Sequence, residues 1–270
     1  MTGHWLRLNK LFSEGKRAVV VAVDHGEFFG PTPGIIDLPR VISAAEAADG
    51  ILLSPGMMAH CGSVFSRRGA PLAMVRLNWS TVFCEQWDYD RARTAPVVSP
   101  LEALAMGADI CLASLTLTTV DETQDARNVE IFAQIASQKR DCGIPLVGEF
   151  YPAAVGRLSP DELHSRVYVA CRVLAELGAD AIKTFYTGER FSEVVQSVPI
   201  PVLALGAEKL PTAADALKLA HNAVVAGARG VVFGRNVIQA PDPALFLQGL
   251  KMVVKEGATP TEAVTGLGLE

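Results

Sequence analysis

Lys183 stands near the carboxyl end of a short apolar run, in the segment Gly178-Ala179-Asp180-Ala181-Ile182-Lys183-Thr184-Phe185-Tyr186-Thr187-Gly188. An amine inside a buried strand loses its hydration. Desolvation favours the uncharged form of an amine, and an uncharged amine can add to a carbonyl and form a Schiff base. The competing account is a lysine that carries its head to the rim or pairs with a carboxylate.

Other polar residues stand at comparable places, each at or just beyond the end of an apolar run. Asp24 and His25 follow Ala18 to Val23. Arg76 lies in Leu72 to Leu77, with Asn78 after it. Glu149 lies in Pro145 to Phe150, and Tyr151 follows. Gly206 and Lys209 come after Pro201 to Leu205, and Gly234, Arg235 and Asn236 close the run from Gly230. With Lys183 as nucleophile, Tyr151 is placed to transfer protons and Asp24 to take a hydroxyl proton or orient the iminium. His25, Arg76, Glu149, Gly206, Lys209, Gly234 and Arg235 are the candidates for holding substrate and phosphate, because glycine lets backbone amides approach an anion and Arg or Lys supplies charge. Structural roles compete with each of these. Asp24 could cap a turn, His25 could be a rim histidine and Tyr151 could pack at a mouth. Glu149 and Arg76 could form buried ion pairs, and Met74 and Cys111 could simply fill a core.

These residues converge only if the elements carrying them close into a ring. Eight apolar runs alternate with helix-like segments: 18–23, 50–54, 72–77, 109–113, 145–150, 179–185, 201–205 and 230–234. Several have the same lead-in, as in Ala48-Asp49-Gly50, Gly107-Ala108-Asp109, Gly178-Ala179-Asp180 and Gly227-Ala228-Arg229, where a glycine or small residue ends a helix just before a strand. Ser159-Pro160-Asp161-Glu162 opens a helix to Leu177 with a serine cap, a proline at the first position and acids in the first turn. Thr212 to Ala226 predicts another helix. Gly3 to Phe12 predicts a short capping helix stopped by Gly15. Asn78 to Pro96, with Trp79, Trp87, Tyr89, Arg91 and Arg93, is the longest irregular stretch. The pattern predicts a single (β/α)8 TIM-barrel domain over residues 1–270, with the chemistry at the carboxyl ends of the strands and a phosphate at the loops after the seventh and eighth. An open doubly wound sheet is the alternative, and no GxGxxG follows the first run to support its dinucleotide form.

The totals agree with an enzyme core. Half of the 270 residues are apolar, a fifth are charged, and the net charge is −5, which gives no reason to expect a nucleic-acid partner. Five cysteines, an odd number with no CxxC pair, suggest neither disulfides nor zinc and favour a reducing, cytoplasmic setting. No apolar run reaches the roughly twenty residues that span a bilayer.

The same residues resemble the archaeal-type class I fructose-bisphosphate aldolase group. Val23-Asp24-His25-Gly26 with Gly30-Pro31 is similar to its first-strand motif, and Tyr151-Pro152 to its tyrosine–proline pair. The Lys183 segment with Tyr186-Thr187-Gly188 is similar to its Schiff-base segment, and Gly230 to Val237 to its phosphate loop. The likeness covers about Val19 to Gln239. It implies a Schiff-base lyase acting on a phosphorylated ketose such as fructose 1,6-bisphosphate, with no cofactor or metal because the iminium serves as electrophile. It also implies a ring-based homo-oligomer, pentamer or decamer. The group includes a transaldolase-like synthase and a thiolase acting on a phosphorylated autoinducer, and Phe29 to Gly34 and Lys209-Leu210-Pro211 resemble the thiolase most. Where the group usually has two glycines after the seventh strand, Gly206 is followed by Ala207 and Glu208. A thiolase or synthase acting on a phosphorylated keto compound, or a non-catalytic phosphosugar-binding barrel, is the alternative function.

Overall fold

The computed structural model describes residues 2–12, 17–87, 89 and 92–269. The expected helix stop at Gly15, and Arg91 of the long loop, lie outside them. The eight apolar runs form strands: β1 (Ala18–Ala22), β2 (Gly50–Leu53), β3 (Leu72–Arg76), β6 (Ile110–Leu115), β7 (Leu146–Phe150), β8 (Ala181–Phe185), β9 (Val202–Leu205) and β10 (Gly230–Phe233). Two short strands between them, β4 (Asn78–Ser80) and β5 (Thr94–Pro96), pair antiparallel as a separate ribbon. The parallel strands close in the order β1-β10-β9-β8-β7-β6-β3-β2, a (β/α)8 barrel with helices around it. The two ends of the stretch from Asn78 to Pro96 are therefore tied together in a ribbon that its composition does not predict.

The barrel strands are buried on both faces, which is why their sequences read as continuous apolar runs rather than alternating ones. Strand parity sorts the side chains. Val20, Ala22, Leu52, Met74, Ile110, Leu112, Val147, Ala181, Leu203 and Val232 fill the barrel interior. Cys111 was expected to join Met74 there. It sits on the opposite parity and packs in the outer layer between sheet and helices, where burial pushes its thiol well above the usual range.

The helix Thr2–Leu11 closes the amino-terminal end of the barrel with Leu11, aided by Phe12 just after it and by Leu8. Polar ties hold it there: His4 Nε2 lies 2.8 Å from Asp180 Oδ1, and Arg7 Nη1 donates to the Gly143 carbonyl at 3.2 Å. The recurring aspartates of the strand lead-ins have a structural reason. Asp49 accepts from the amide of Val19 at 2.8 Å, Asp109 from Ala73 at 3.1 Å and Asp180 from Leu146 at 2.7 Å. Each staples the start of its own strand to a neighbouring one and occupies an amide at the sheet's lower edge. The helix Pro160–Glu176 is capped by Ser159 and Glu162 in a reciprocal capping box.

Candidate active site

The carboxyl ends of the strands converge on a pocket with about 540 Å³ of empty volume. It is lined by Ala22, Asp24, His25, Arg76, Glu149, Tyr151, Lys183, Gly206, Ala207, Gly234 and Arg235, together with Phe28, Phe29 and Phe83. All the residues expected from the sequence line it except Lys209. Lys209 lies on an exposed turn outside the lining, because the chain folds away from the pocket after Ala207.

A chain of charges runs across the floor. Arg76 Nε donates to Asp24 Oδ2 at 2.7 Å, and Arg76 Nη2 donates to Glu149 Oε2 at 2.6 Å. The other oxygen of Glu149, Oε1, lies 2.5 Å from Lys183 Nζ. The four residues are between 2% and 6% exposed, so the contacts act with little screening by water. Burial alone would raise the Asp24 carboxyl, but Arg76, Lys183 and His25 outweigh it and hold it at about 2. Burial also opposes the charge on Glu149, and Arg76 and Lys183 again prevail and lower it. The Arg76 guanidinium is pushed the opposite way: desolvation works against it, and the two carboxylates raise it. Arg76 and Glu149 were candidates for binding substrate or phosphate. Their charged atoms are instead largely committed to each other, to Asp24 and to Lys183.

The other side of the pocket is built from the turns after β9 and β10. Asn236, fully buried, pins the first of these. Its Nδ2 donates to the carbonyls of Gly206 at 2.8 Å and Glu208 at 2.9 Å, and its Oδ1 accepts from the Leu210 amide at 2.8 Å. Arg235 Nη2 donates to the Ala207 carbonyl at 3.3 Å, and its guanidinium carbon lies 5.9 Å from the Phe29 ring centroid. Ala207 takes φ 52°, so alanine keeps the left-handed backbone that glycine would hold at less cost. Gly234 has a different reason to be glycine: a Cβ there would lie 2.2 Å from His25 Cε1. The imidazole rests on the glycine. Burial drives the His25 ring down to about 4, with Lys183 and Arg235 adding to the fall and Asp24 opposing it, so the ring is neutral at pH 7.

The aromatic part of the wall was not legible in the sequence. Phe28 and Phe83 have ring centroids 4.6 Å apart, Phe83 and Tyr151 4.7 Å, and Tyr151 and Phe185 5.0 Å. The Arg76 guanidinium carbon lies 5.1 Å from the centroids of both Phe28 and Phe83. Phe28 and Phe83 come from different loops and carry no periodic signal. Asn236 did stand in a recognisable motif, but its grip on the neighbouring turn shows only in three dimensions. Among the described residues no group of three or more His, Cys, Asp or Glu is placed to hold a metal ion, and no helix is long and apolar enough to cross a membrane.

Known proteins share this arrangement of fold and sequence. The sequence profile of the DeoC/LacD family aldolases matches residues 18–240. An uncharacterised aldolase of Saccharolobus solfataricus is 31% identical over 271 residues, 98% of each chain. A 3-hydroxy-5-phosphonooxypentane-2,4-dione thiolase of Yersinia pseudotuberculosis is 28% identical over 262 residues, covering 95% of this chain and 84% of the relative. Among solved structures, an archaeal fructose 1,6-bisphosphate aldolase superposes with a TM-score of 0.78 at 26% identity, over 93% of this chain and 98% of its own. A Schiff-base-forming fructose-1,6-bisphosphate aldolase superposes with a TM-score of 0.76 at 25% identity, over 93% and 99%.

Proposed function

The chain belongs to the DeoC/LacD aldolase family, and from that premise we propose that it is a class I aldolase that makes or breaks a carbon–carbon bond in a phosphorylated ketose through a Schiff base on Lys183. The observation that carries this reading is that Lys183 lines the floor of the mouth pocket, where a ketone can reach its amine; the carboxylate pairing that competes with a catalytic role is present as well, in the 2.5 Å contact with Glu149.

The two carboxylates suit a positively charged nitrogen at that place. The iminium is such a species, so the site carries in advance the negative charge that the intermediate needs. Glu149 is the base in contact with Lys183. It takes the proton that the Lys183 nitrogen gives up as the amine adds to the substrate ketone, giving a carbinolamine. Protonation of the carbinolamine hydroxyl lets water leave and forms the iminium. The iminium draws the electrons of the adjacent carbon–carbon bond as that bond breaks, and an enamine remains. Tyr151, on the rim, serves the proton transfers at the substrate hydroxyl and the enamine carbon. Asp24, kept ionised by Arg76 and held away from Lys183 by its bond to that guanidinium, acts through its charge on the iminium. Arg235 and the backbone at Gly206 and Gly234, with His25 beside them, take the phosphate, so that binding energy at the far end of the substrate positions the reacting carbon.

Borohydride reduction in the presence of a ketose phosphate should attach the substrate's mass to Lys183. A Lys183→Ala protein that keeps full turnover would remove the mechanism. The likeness to the thiolase supports a second reading, acyl transfer on a phosphorylated dione, and product analysis with and without coenzyme A separates the two. The ring-based pentamer or decamer expected from the resemblance belongs to the same reading, and sedimentation of the purified protein measures it.

A further inference from the structure

The pocket is asymmetric about Lys183, and the asymmetry bears on what the substrate carries at each end. Arg235 follows β10. Phe83 and Tyr151 follow β3 and β7, the strands that flank β6, and β6 lies opposite β10 in the ring of eight. The lysine on β8 stands between these two sides. On the β10 side the lining offers Arg235, whose guanidinium has among the described residues only the Ala207 carbonyl as a hydrogen-bond partner. On the opposite side the lining is Phe83 and Tyr151, with Phe28 packed on Phe83. The one cation beneath that wall among the described residues is Arg76: its Nε and Nη2 are held by Asp24 and Glu149, and its Nη1, without a hydrogen-bond partner, is buried beneath the rings of Phe28 and Phe83. A phosphate placed there would find the charges of Arg76 and Lys183 already balanced by Asp24 and Glu149, with no cation left over to match its own. It would also have to give up its water against aromatic carbon.

The geometry points to a substrate with a single phosphate, held on the Arg235 side, whose other fragment is an uncharged and largely apolar aldehyde seated against Phe83 and Tyr151. This rests on the Schiff-base reading above and adds the class of the second fragment. A ketose with phosphates at both ends is the wrong shape of charge for this pocket. In the bond-forming direction, the enamine carbon of the Lys183-bound donor attacks the aldehyde carbon. The carbonyl π electrons move to oxygen, that oxygen takes a proton from Tyr151, and water then hydrolyses the iminium to release the product and the lysine.

The test uses the intact enzyme, dihydroxyacetone phosphate as donor and three acceptors: benzaldehyde, glyceraldehyde and glyceraldehyde 3-phosphate. Borohydride labelling of Lys183 by the donor alone is measured first, then kcat/KM for each acceptor. The expected result is labelling, with kcat/KM for benzaldehyde at least tenfold above that for glyceraldehyde 3-phosphate. Labelling together with equal or better use of glyceraldehyde 3-phosphate would overturn the inference and leave the Schiff base standing. Absence of labelling would overturn both. Phe83→Leu, which keeps the volume but not the ring, should narrow the ratio of benzaldehyde to glyceraldehyde. A ratio unchanged in that variant would remove Phe83 from the acceptor site.

Discussion

Glu149 and Lys183 occupy paired positions on the neighbouring strands β7 and β8, and the 2.5 Å contact between their heads follows from that register. A one-residue slip would turn one of them out of the barrel. The sheet itself therefore sets the distance between the proposed nucleophile and the proposed base. Glu149→Gln keeps the side-chain shape but cannot accept the proton. Turnover should fall by about 10²–10⁴-fold, the usual range for losing a positioned acid or base. If Glu149 serves only as a structural partner, borohydride labelling of Lys183 will proceed at the wild-type rate in the variant.

Arg76 holds two carboxylates at once, and among the described residues the only other lysine or arginine paired with either is Lys183, on Glu149. Arg76→Met leaves both buried charges without it. Removing one member of a buried ionic network costs about 3–5 kcal/mol, so denaturant unfolding at pH 7 should show a loss of that order. Met fills the space beneath Phe28 and Phe83, which makes a cavity a poor explanation of the loss. At pH 3 the difference from wild type should shrink, because the two carboxyls, freed of the guanidinium, can then be neutralised.

Two groups in the first loop oppose each other in acid. The His25 ring is lowered from 6.5 to about 4, chiefly by burial. Between those values the unfolded chain binds a proton that the folded one does not, so stability falls as the pH drops through this window. The Glu27 carboxyl is raised from 4.5 to about 7 by burial and by Asp24, with Arg76 pulling the other way. Here the folded state binds the extra proton, and stability falls as the pH rises from 4.5 to 7. The two slopes largely cancel in the wild type. Glu27→Gln should unmask the histidine and lose about 2–3 kcal/mol between pH 7 and 4.5. His25→Asn should show the reverse slope. Parallel curves for all three proteins in thermal melts against pH would show that these groups do not carry the pH dependence.

The barrel was legible because each strand is buried on both faces and announces itself as an apolar run. Lys183, Glu149, Arg76 and Asp24 stood out for the same reason, as charges where such runs should hold none. Their pairing was legible as an alternative and no further. Glu149 could have met Lys183 or Arg76, and Lys183 could have reached the rim; only the fold, with β7 in register against β8, shows that Glu149 meets both. Cys111 shows the limit of reading a run without its parity, since adjacent residues face opposite sides of the sheet. Lys209 shows the limit of reading a turn: its distance from Gly206 in sequence gives no sign that Asn236 draws the intervening carbonyls inward and leaves the lysine outside. Phe28 and Phe83 meet through the fold of two loops, for which no spacing rule exists.

Ala207 and Gly234 make opposite demands on a small side chain. Ala207 has a Cβ in a left-handed backbone, a conformation that costs about 1–2 kcal/mol in an L-residue, while glycine in that place costs some entropy instead. Ala207→Gly should therefore raise stability by roughly 0.5–1 kcal/mol, read as a higher denaturation midpoint. A lower midpoint would mean that the methyl group makes contacts that outweigh the strain.

Gly234→Ala meets a hard neighbour. The added carbon would fall 2.2 Å from His25 Cε1 and 3.1 Å from the Ala22 carbonyl oxygen, so either the imidazole or the turn after β10 must move. Overpacking of this kind costs about 1–3 kcal/mol. Because Gly234 and Arg235 are adjacent, the same shift should disturb the phosphate end and raise KM for a phosphorylated ketose more than it lowers kcat. Truncating the ring tests whether His25 is the obstacle. His25→Ala combined with Gly234→Ala should recover part of the lost stability and part of the KM, a coupling of about 1 kcal/mol or more in a double-mutant cycle. Strict additivity of the two changes would mean that the imidazole is not what keeps this position a glycine.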